Sequence, residues 1–421
     1  MNYAIFSLIK KEDFMERFIS FIGIFVFLGI CYLISENKKK VSFKLVSAGI
    51  IIQFIFAFLI LKTHIGKVTF EKLSEFITAI LGFTKNGSEF LFGNLVTDTN
   101  SFGYIFAFQV LPTIIFFSSL MAVLYYLGVM QFLIKHIANF MAKTLGTSGA
   151  ESLSAAANIF VGQTEAPLIV KPYIEKMTRS ELHAVMVGGM ATVAGSVMAG
   201  YIGMGISSAH LLSASIMSAP AAFVAAKIIV PETEEPVTKG NVSCDVEKLD
   251  KNVIDAAARG ASEGLTMALN VGAMLIAFVA IIAMLNAGLE GIGHLVGING
   301  LNFENILGYI CSPFAYVMGI PAQDMITAGS LIGQKTVINE FVAYSNLSTL
   351  MKQGALNPRT ATILTYALCG FANFSSIAVQ LGGIGGLAPK RRSEIAQLGI
   401  KSLIGGTVAS FLTACIAGIL V

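Results

Sequence analysis

Charge is what this chain has least of. Only 13% of its 421 residues are charged, against 55% hydrophobic, with a mean hydropathy of +0.75. Soluble domains carry about a quarter charged residues, so the shortfall exceeds what one apolar core explains and points to several segments whose solvent is lipid. Cysteine is sparse as well. Cys31, Cys244, Cys311, Cys369 and Cys415 lack metal-binding or redox spacing, and they read as small buried hydrophobes rather than as a disulfide framework. There is no H-E-x-x-H, no Ser/His or Cys/His pairing and no Asp-rich metal motif within an apolar run. No A-x-A site precedes the first basic flank, so the apolar run from Phe18 reads as a first membrane helix behind a short polar leader, Met1–Arg17. The formal charge of +3 gives no sign of nucleic-acid binding, because the basic residues sit in short clusters between apolar runs.

What is present is a series of long apolar runs and 41 glycines, the latter common where membrane helices pack closely. A bilayer core about 30 Å thick needs ~20 helical residues. Eight spans are predicted, at roughly 18–35, 43–62, 108–130, 181–204, 207–230, 262–288, 360–387 and 396–421. The first half of 66–100, with Lys67, Glu71, Lys72 and Glu75, reads as an amphipathic helix in the interface. Lys38, Lys39, Lys40 and Lys44 place the first connection inside, as Lys390, Arg391 and Arg392 do the last. Both termini are therefore expected outside.

Two apolar stretches do not fit as spans. Ala150–Ile174 has basic residues on both sides (Lys135 and Lys143, then Lys171, Lys176 and Arg179), so it should enter and leave by one face. Its polar middle, Gly162-Gln163-Thr164-Glu165-Ala166-Pro167, leaves arms that each reach about half-way across the bilayer. That describes a re-entrant hairpin. The stretch 305–350, carrying Gly333-Gln334-Lys335-Thr336-Val337-Ile338-Asn339-Glu340-Phe341, must cross an even number of times and reads as a second hairpin from the opposite side. The expected fold is all-α integral membrane, with eight transmembrane helices and two opposed hairpins in an inverted repeat.

The expected organisation is a largely scaffold segment 1–149 and a first repeat 150–230, then a cytoplasmic loop 231–261 whose solvated part includes Pro231, Glu232, Pro236 and Asp245. A scaffold helix and connection at 262–304 and a second repeat at 305–421 complete it.

An ionisable group inside a membrane costs several kcal/mol unless it meets a partner or water. Glu165 and Glu340 are therefore the most informative residues, with Gln163, Thr164, Thr336 and Asn339 beside them. Each carboxylate could instead satisfy orphan amides at a hairpin tip, but two such tips in equivalent positions favour a site. Asn373 and Ser376 share a face of the seventh span, where Ser375 could simply bond its own helix. Carboxylates, amides and hydroxyls between apolar walls suit a small, neutral, polyhydroxylated ligand with an amide-rich planar part. Sugars, nucleobases and nucleosides all remain open on that chemistry. The five histidines, His64, His136, His183, His210 and His294, read as interfacial, and the glycines around Lys335 lack phosphate-loop spacing.

The runs Asn158-Ile159-Phe160-Val161-Gly162-Gln163-Thr164-Glu165-Ala166-Pro167-Leu168, Asn339-Glu340-Phe341-Val342-Ala343-Tyr344 and Gly370-Phe371-Ala372-Asn373-Phe374-Ser375-Ser376-Ile377 resemble the signatures of the concentrative nucleoside transporter family. Gly386-Leu387-Ala388-Pro389-Lys390-Arg391-Arg392 matches too, and the resemblance covers almost the whole chain. It implies a nucleoside symporter of a bacterial inner membrane, a homotrimer with mobile transport domains. Gln163, Thr164 and Glu165 would contact the base with Val197 packed on it, and Glu340, Asn373 and Ser376 would hold the ribose beside Phe371. A sodium ion would sit at Asn158, the Val161 carbonyl, Thr192 and the Val193 carbonyl. Proton-coupled members differ around the first hairpin, so sodium is expected, with protons as the alternative. An intramembrane acid–base enzyme using Glu165 and Glu340 and a passive channel are the competing classes, and neither predicts cation-dependent accumulation.

Overall fold

The computed structural model describes residues 2–103, 105–240, 250–297 and 300–421; Cys244 and Asp245 lie outside the described residues. Every regular element among the described residues is a helix. The N-terminal part holds α1 (Asn2–Leu33), α2 (Phe43–Lys62) and α3 (His64–Gly82), short helices across 84–109, then α4 (Leu111–Tyr126) and α5 (Val129–Leu145). The expected polar leader is thus helical and continuous with the first span.

The first repeat follows. Its hairpin is α6 (Gly149–Asn158), a tip, and the one-turn helices α7 (Ala166–Ile169) and α8 (Lys171–Ile174). Next come α9 (Arg179–Ala191), α10 (Gly195–Gly203) and α11 (Ser208–Ile229). After α12 (Val253–Val296) and α13 (Phe303–Val317), the second repeat presents α14 (Met325–Val337), α15 (Glu340–Lys352), α16 (Pro358–Ala367), α17 (Phe374–Leu387) and α18 (Arg392–Leu420).

Seven helical stretches among the described residues are long and apolar enough to cross a membrane: Phe14–Leu33, Phe43–Lys62, Phe106–Tyr126, Arg179–Gly203, Ser208–Ile229, Val253–Leu295 and Pro389–Leu420. The eighth expected span, 360–387, exists as two halves. Asn373 ends the gap by capping α17, its Oδ1 accepting the Ser376 amide at 3.0 Å. Gly370 has φ +155°, and a Cβ there would lie 2.9 Å from both the Met190 carbonyl and Ser410 Oγ. The fourth span is broken as well, between Ala191 and Gly195, where the Gly195 amide donates to the Phe160 carbonyl of the first hairpin at 2.9 Å. Periodicity and hydropathy could not show this break, since Thr192-Val193-Ala194 is apolar enough to continue a helix. The second hairpin is narrower than expected: it occupies α14 and α15, and 303–317 forms a separate helix packed along α14.

The first hairpin is rooted by two capping boxes. Ser148 pairs with Glu151 at the start of α6, and Thr178 with Glu181 at the start of α9. Lys227, near the end of α11, joins them: its Nζ lies 2.7 Å from Glu151 and 3.3 Å from Glu232, and donates to Ser180 Oγ at 3.0 Å. Three helix ends are thereby tied by one buried cation. His183, expected at an interface, is fully buried on α9 with Nδ1 3.2 Å from the Ala226 carbonyl. In the interior α9, α11 and α18 pack together, α1 lies on α18 and α2 on α11, while α4 pairs with α12 at the edge. Along α12 the side chains of Leu269, Ile276, Val279 and Met284 remain exposed, as on a helix facing lipid or another apolar surface.

Candidate functional site

The two broken helices and the two hairpins converge on one polar centre. At the tip of the first hairpin Gln163 is buried, while Thr164 and Glu165 are exposed. Glu165 holds the tip's own backbone: its Oε2 accepts the Gly162 amide at 3.1 Å. The tip lies against α17, where a Cβ on Gly383 would be 3.4 Å from the Thr164 methyl. Gln163 Nε2 donates to Ser376 Oγ at 2.9 Å, and its Oε1 is buried without a partner. An unpaired buried amide oxygen of this kind suits a ligand's N–H or O–H donor.

The second hairpin turns sharply at Asn339, whose side chain caps α15 by accepting the Val342 amide at 2.9 Å. This places Glu340 in the first helical turn, buried at 5% exposure, where the N-terminal end of the helix dipole favours a carboxylate. Its two oxygens face two donors: Tyr201 Oη at 3.0 Å and Asn373 Nδ2 at 3.1 Å. Asn373 uses its own oxygen for the α17 cap and for Ser375 Oγ at 2.6 Å. Tyr201, Glu340, Asn373, Ser376 and Gln163 are therefore linked through side-chain hydrogen bonds and one capping bond, joining both repeats. Val197 is buried in the first turn of α10, and Phe371 is half-buried in the α16–α17 gap. The Phe371 amide donates to the Thr192 carbonyl at 3.1 Å, which bonds one helix break to the other.

On the far side of the first hairpin, Asn158 ends α6 with 1% exposure, and neither its Oδ1 nor its Nδ2 has a partner. It faces the last turns of α9: a Cβ on Gly188 would be 3.3 Å from its Nδ2. Thr192, just beyond α9, is buried and donates to the Gly188 carbonyl at 3.0 Å. Val161 and Val193 are also buried. A buried amide oxygen, a threonine hydroxyl and non-helical carbonyls form a donor set suited to a hard monovalent cation. No group of three or more His, Cys, Asp or Glu residues suited to a metal ion occurs among the described residues.

Tyr201 and Gln380 complete the centre and were not singled out by sequence. Tyr201 is fully buried and stacked on Tyr344 with ring centroids 4.3 Å apart. Gln380 lies one turn after Ser376 on α17 and donates to the Met186 carbonyl at 2.8 Å, leaving its Oε1 buried and unpaired. A glutamine within an apolar helix was a readable signal; a tyrosine was not.

Three family profiles match in succession: "Na+ dependent nucleoside transporter N-terminus" over residues 22–95, "Nucleoside recognition" over 107–208, and "Na+ dependent nucleoside transporter C-terminus" over 210–418. An uncharacterized transporter of Haemophilus influenzae is 48% identical over 96% of this chain and 97% of its own. Solute carrier family 28 member 3 of Mus musculus is 43% identical over 96% of this chain, which spans 59% of that protein's length. The solved structure of CNTnw in an inward-facing substrate-bound state is 48% identical, covers 96% of this chain and 97% of that one, and superposes with a TM-score of 0.91.

Proposed function

Because the chain belongs to the concentrative nucleoside transporter family, we propose that it is a symporter that imports nucleosides such as uridine on an inward sodium gradient. The observation that carries the reading is the Glu340–Asn373–Ser376–Gln163 network, with a buried acceptor pair at one end and an unpaired amide oxygen at the other. Glu340 and Asn373 take the ribose hydroxyls, with Ser376 between them and the base and Phe371 against the sugar. Gln163, Thr164 and Glu165 read the base edge, and Val197 packs on its face. Hydroxyl recognition by a carboxylate is charge-assisted and therefore strong for a neutral ligand.

Sodium is held by the Asn158 side chain, the Thr192 hydroxyl and the carbonyls of Val161 and Val193. The support is the orphaned Asn158 amide, whose buried oxygen has no other occupant. The ion's charge would draw the α6 end toward the α9–α10 break and so set the tip that carries Gln163. The hairpins and broken helices move as one body past a scaffold that includes the paired α4 and α12. The exposed apolar face of α12 suits lipid and the neighbouring copies of a homotrimer. The protein resides in a bacterial inner membrane with both termini outside.

Uptake of labelled uridine into proteoliposomes tests the reading. Accumulation under an inward sodium gradient and none under a proton gradient without sodium is the expected result. Proton-driven accumulation would keep the nucleoside and replace the ion; an absence of accumulation under both gradients, from folded protein, would remove the substrate.

A further inference from the structure

A cavity of about 650 Å³ lies outside the polar centre, between α4 and the body that the hairpins and broken helices form. Phe117 and Met121 of α4 make one wall; Phe160 of the first hairpin with Gly195 and Met198 of α10 makes the wall opposite. Helices α2, α3, α5 and α11 close it. Of the lining side chains, only Ser215 and His136 carry a nitrogen or an oxygen. The Ser215 hydroxyl donates to the Ile159 carbonyl at 2.8 Å, and His136 Nδ1 lies 2.8 Å from the Phe132 carbonyl of its own helix. A buried water needs about 2–4 polar partners and a nucleoside or sugar needs more, so these walls suit neither. The size is that of a small-molecule pocket, about 300–1,000 Å³. A flexible hydrocarbon chain fits both the volume and the lining.

The bilayer is a ready source of such chains. Hydrophobicity alone gives a chain no preference for the cavity, because lipid tails are as apolar as these walls. Retention needs a second contact at the headgroup, and α5 supplies it. One face of α5 is buried through Met130, Ile134, Ala138 and Met141, while Phe132, Leu133, Lys135, His136 and Lys143 are exposed. His136 lines the cavity, and Lys143 lies two turns further along the same face. The helix has no Asp or Glu. The bias of basic residues toward the cytoplasm sets α5 at the inner leaflet, where anionic headgroups attract lysines.

We propose that this cavity binds one acyl chain of an anionic glycerophospholipid of the inner leaflet, its phosphate held by the basic face of α5, and that the bound chain slows translocation. The effect on rate rests on the reading that the hairpins and broken helices move past α4. The chain touches the ion side from behind: Phe160 follows Asn158 by two residues, and the Gly195 amide donates to the Phe160 carbonyl at 2.9 Å. Beside the cavity the two walls already meet, since a Cβ on Gly195 would be 2.8 Å from the Phe117 ring. Sliding α10 along α4 therefore reshapes the cavity. A chain that fits this alignment better than the displaced one stabilises it.

The test uses the purified protein in phosphatidylcholine vesicles containing phosphatidylglycerol with a photoreactive diazirine near the end of one chain. Labelled residues are identified by mass spectrometry. The expected labels fall on Met121 and Met198, are competed by unmodified phosphatidylglycerol, and exceed those from the matching phosphatidylcholine probe. Lys143→Gln should cut that preference about fivefold, the equivalent of one charge near the surface. Ala219→Leu, which fills part of the cavity from α11, should lower labelling of both methionines, with the melting temperature as the check that it folds. The maximal rate of uridine uptake should be lower with phosphatidylglycerol than in phosphatidylcholine alone, and Lys143→Gln should shrink the difference. Labels confined to the outward side chains Ile51, Ile55 and Phe132, as bulk lipid would give, overturn the site. Equal labelling of Met121 and Met198 by the two probes overturns the anionic headgroup. Failure of the moving-body reading looks different: both methionines would be labelled selectively, and phosphatidylglycerol would leave the uptake rate unchanged.

Discussion

The Thr192 carbonyl accepts the Phe371 amide at 3.1 Å, so the break in the fourth span is bonded directly to the break in the seventh. Thr192 belongs to the proposed ion side and Phe371 to the nucleoside side. An ion that orders the α9–α10 gap therefore orders one wall of the nucleoside pocket. Such coupling is reciprocal by thermodynamic necessity. Sodium should tighten uridine binding and uridine should tighten sodium binding by the same factor, about 5- to 150-fold for a coupling of 1–3 kcal/mol. Calorimetric titration of each ligand with and without the other measures both factors. Thr192→Ala should shrink them together while leaving uridine affinity without sodium nearly unchanged; equal affinities with and without sodium would refute the coupling.

Glu340 accepts from Tyr201 and Asn373 at once, and the two donors define what each substitution does. Glu340→Gln turns one acceptor into a donor that must face Tyr201 or Asn373. A lost buried hydrogen bond to a charged group is worth about 1.5–3 kcal/mol, so uridine affinity should fall about 10- to 150-fold, further if the amide also repels a donor. Asn373→Ala should be equally severe, because it removes the α17 cap with the Glu340 contact. Tyr201→Phe keeps the stack on Tyr344 and removes only one donor; its affinity loss should stay near the lower end of that range. Binding measured by scintillation proximity on purified protein separates these effects from expression. Normal affinity for Glu340→Gln would remove the carboxylate from the site.

The parts legible in sequence were those carried by local chemistry. Hydropathy and basic flanks located the spans and the first hairpin, and Glu165, Glu340 and Asn373 stood out because charge and amides are costly in lipid. What could not be read were features created by partners distant in the chain. The break at Thr192–Ala194 exists because Phe160 and Phe371 take up its backbone groups. Tyr201 became part of the site because Glu340, 139 residues later, accepts its hydroxyl. The long α12 extends well past the predicted 262–288 because its ends are helical without being apolar; hydropathy sees only the middle.

A carboxylate outside the membrane segments gives a pH prediction. Glu36, between α1 and α2, accepts from three donor atoms of Arg179 and Lys401: Arg179 Nη2 at 2.9 Å and Nε at 3.1 Å, and Lys401 Nζ at 2.7 Å. Arg179 first, then Lys401, holds its carboxyl down at about 2 against an ordinary 4.5. Since the folded value is depressed, the stabilisation is complete above about pH 4.5 and is lost as pH falls toward 2. The side chain is partly exposed, so solvent screening limits the effect to about 1 kcal/mol or less. Glu36→Gln should lower the melting temperature slightly at pH 7, and the difference from the unsubstituted protein should narrow as pH falls below 4.5. A difference constant from pH 7 to pH 3.5 would count against an ionised Glu36 as its source.

Gly189 offers the sharpest steric test of how the first hairpin is seated. It lies within α9, where alanine would be favoured over glycine by about 1 kcal/mol on helix propensity alone. A Cβ at this position, however, would lie 2.8 Å from Gln163 Cβ and 3.0 Å from Gln380 Nε2. The neighbours that must give way are the residue carrying the proposed base contact and the glutamine behind it. Gly189→Ala should therefore fold, with a melting temperature near that of the unsubstituted protein, while displacing Gln163 from Ser376. The expected result is a fall in uridine affinity of about 10-fold, the equivalent of one hydrogen bond to the ligand. Sodium stabilisation without nucleoside should be retained, because Asn158 meets α9 at Gly188, not at Gly189. Loss of sodium stabilisation with unaltered uridine affinity would reverse the assignment of the two faces of the hairpin.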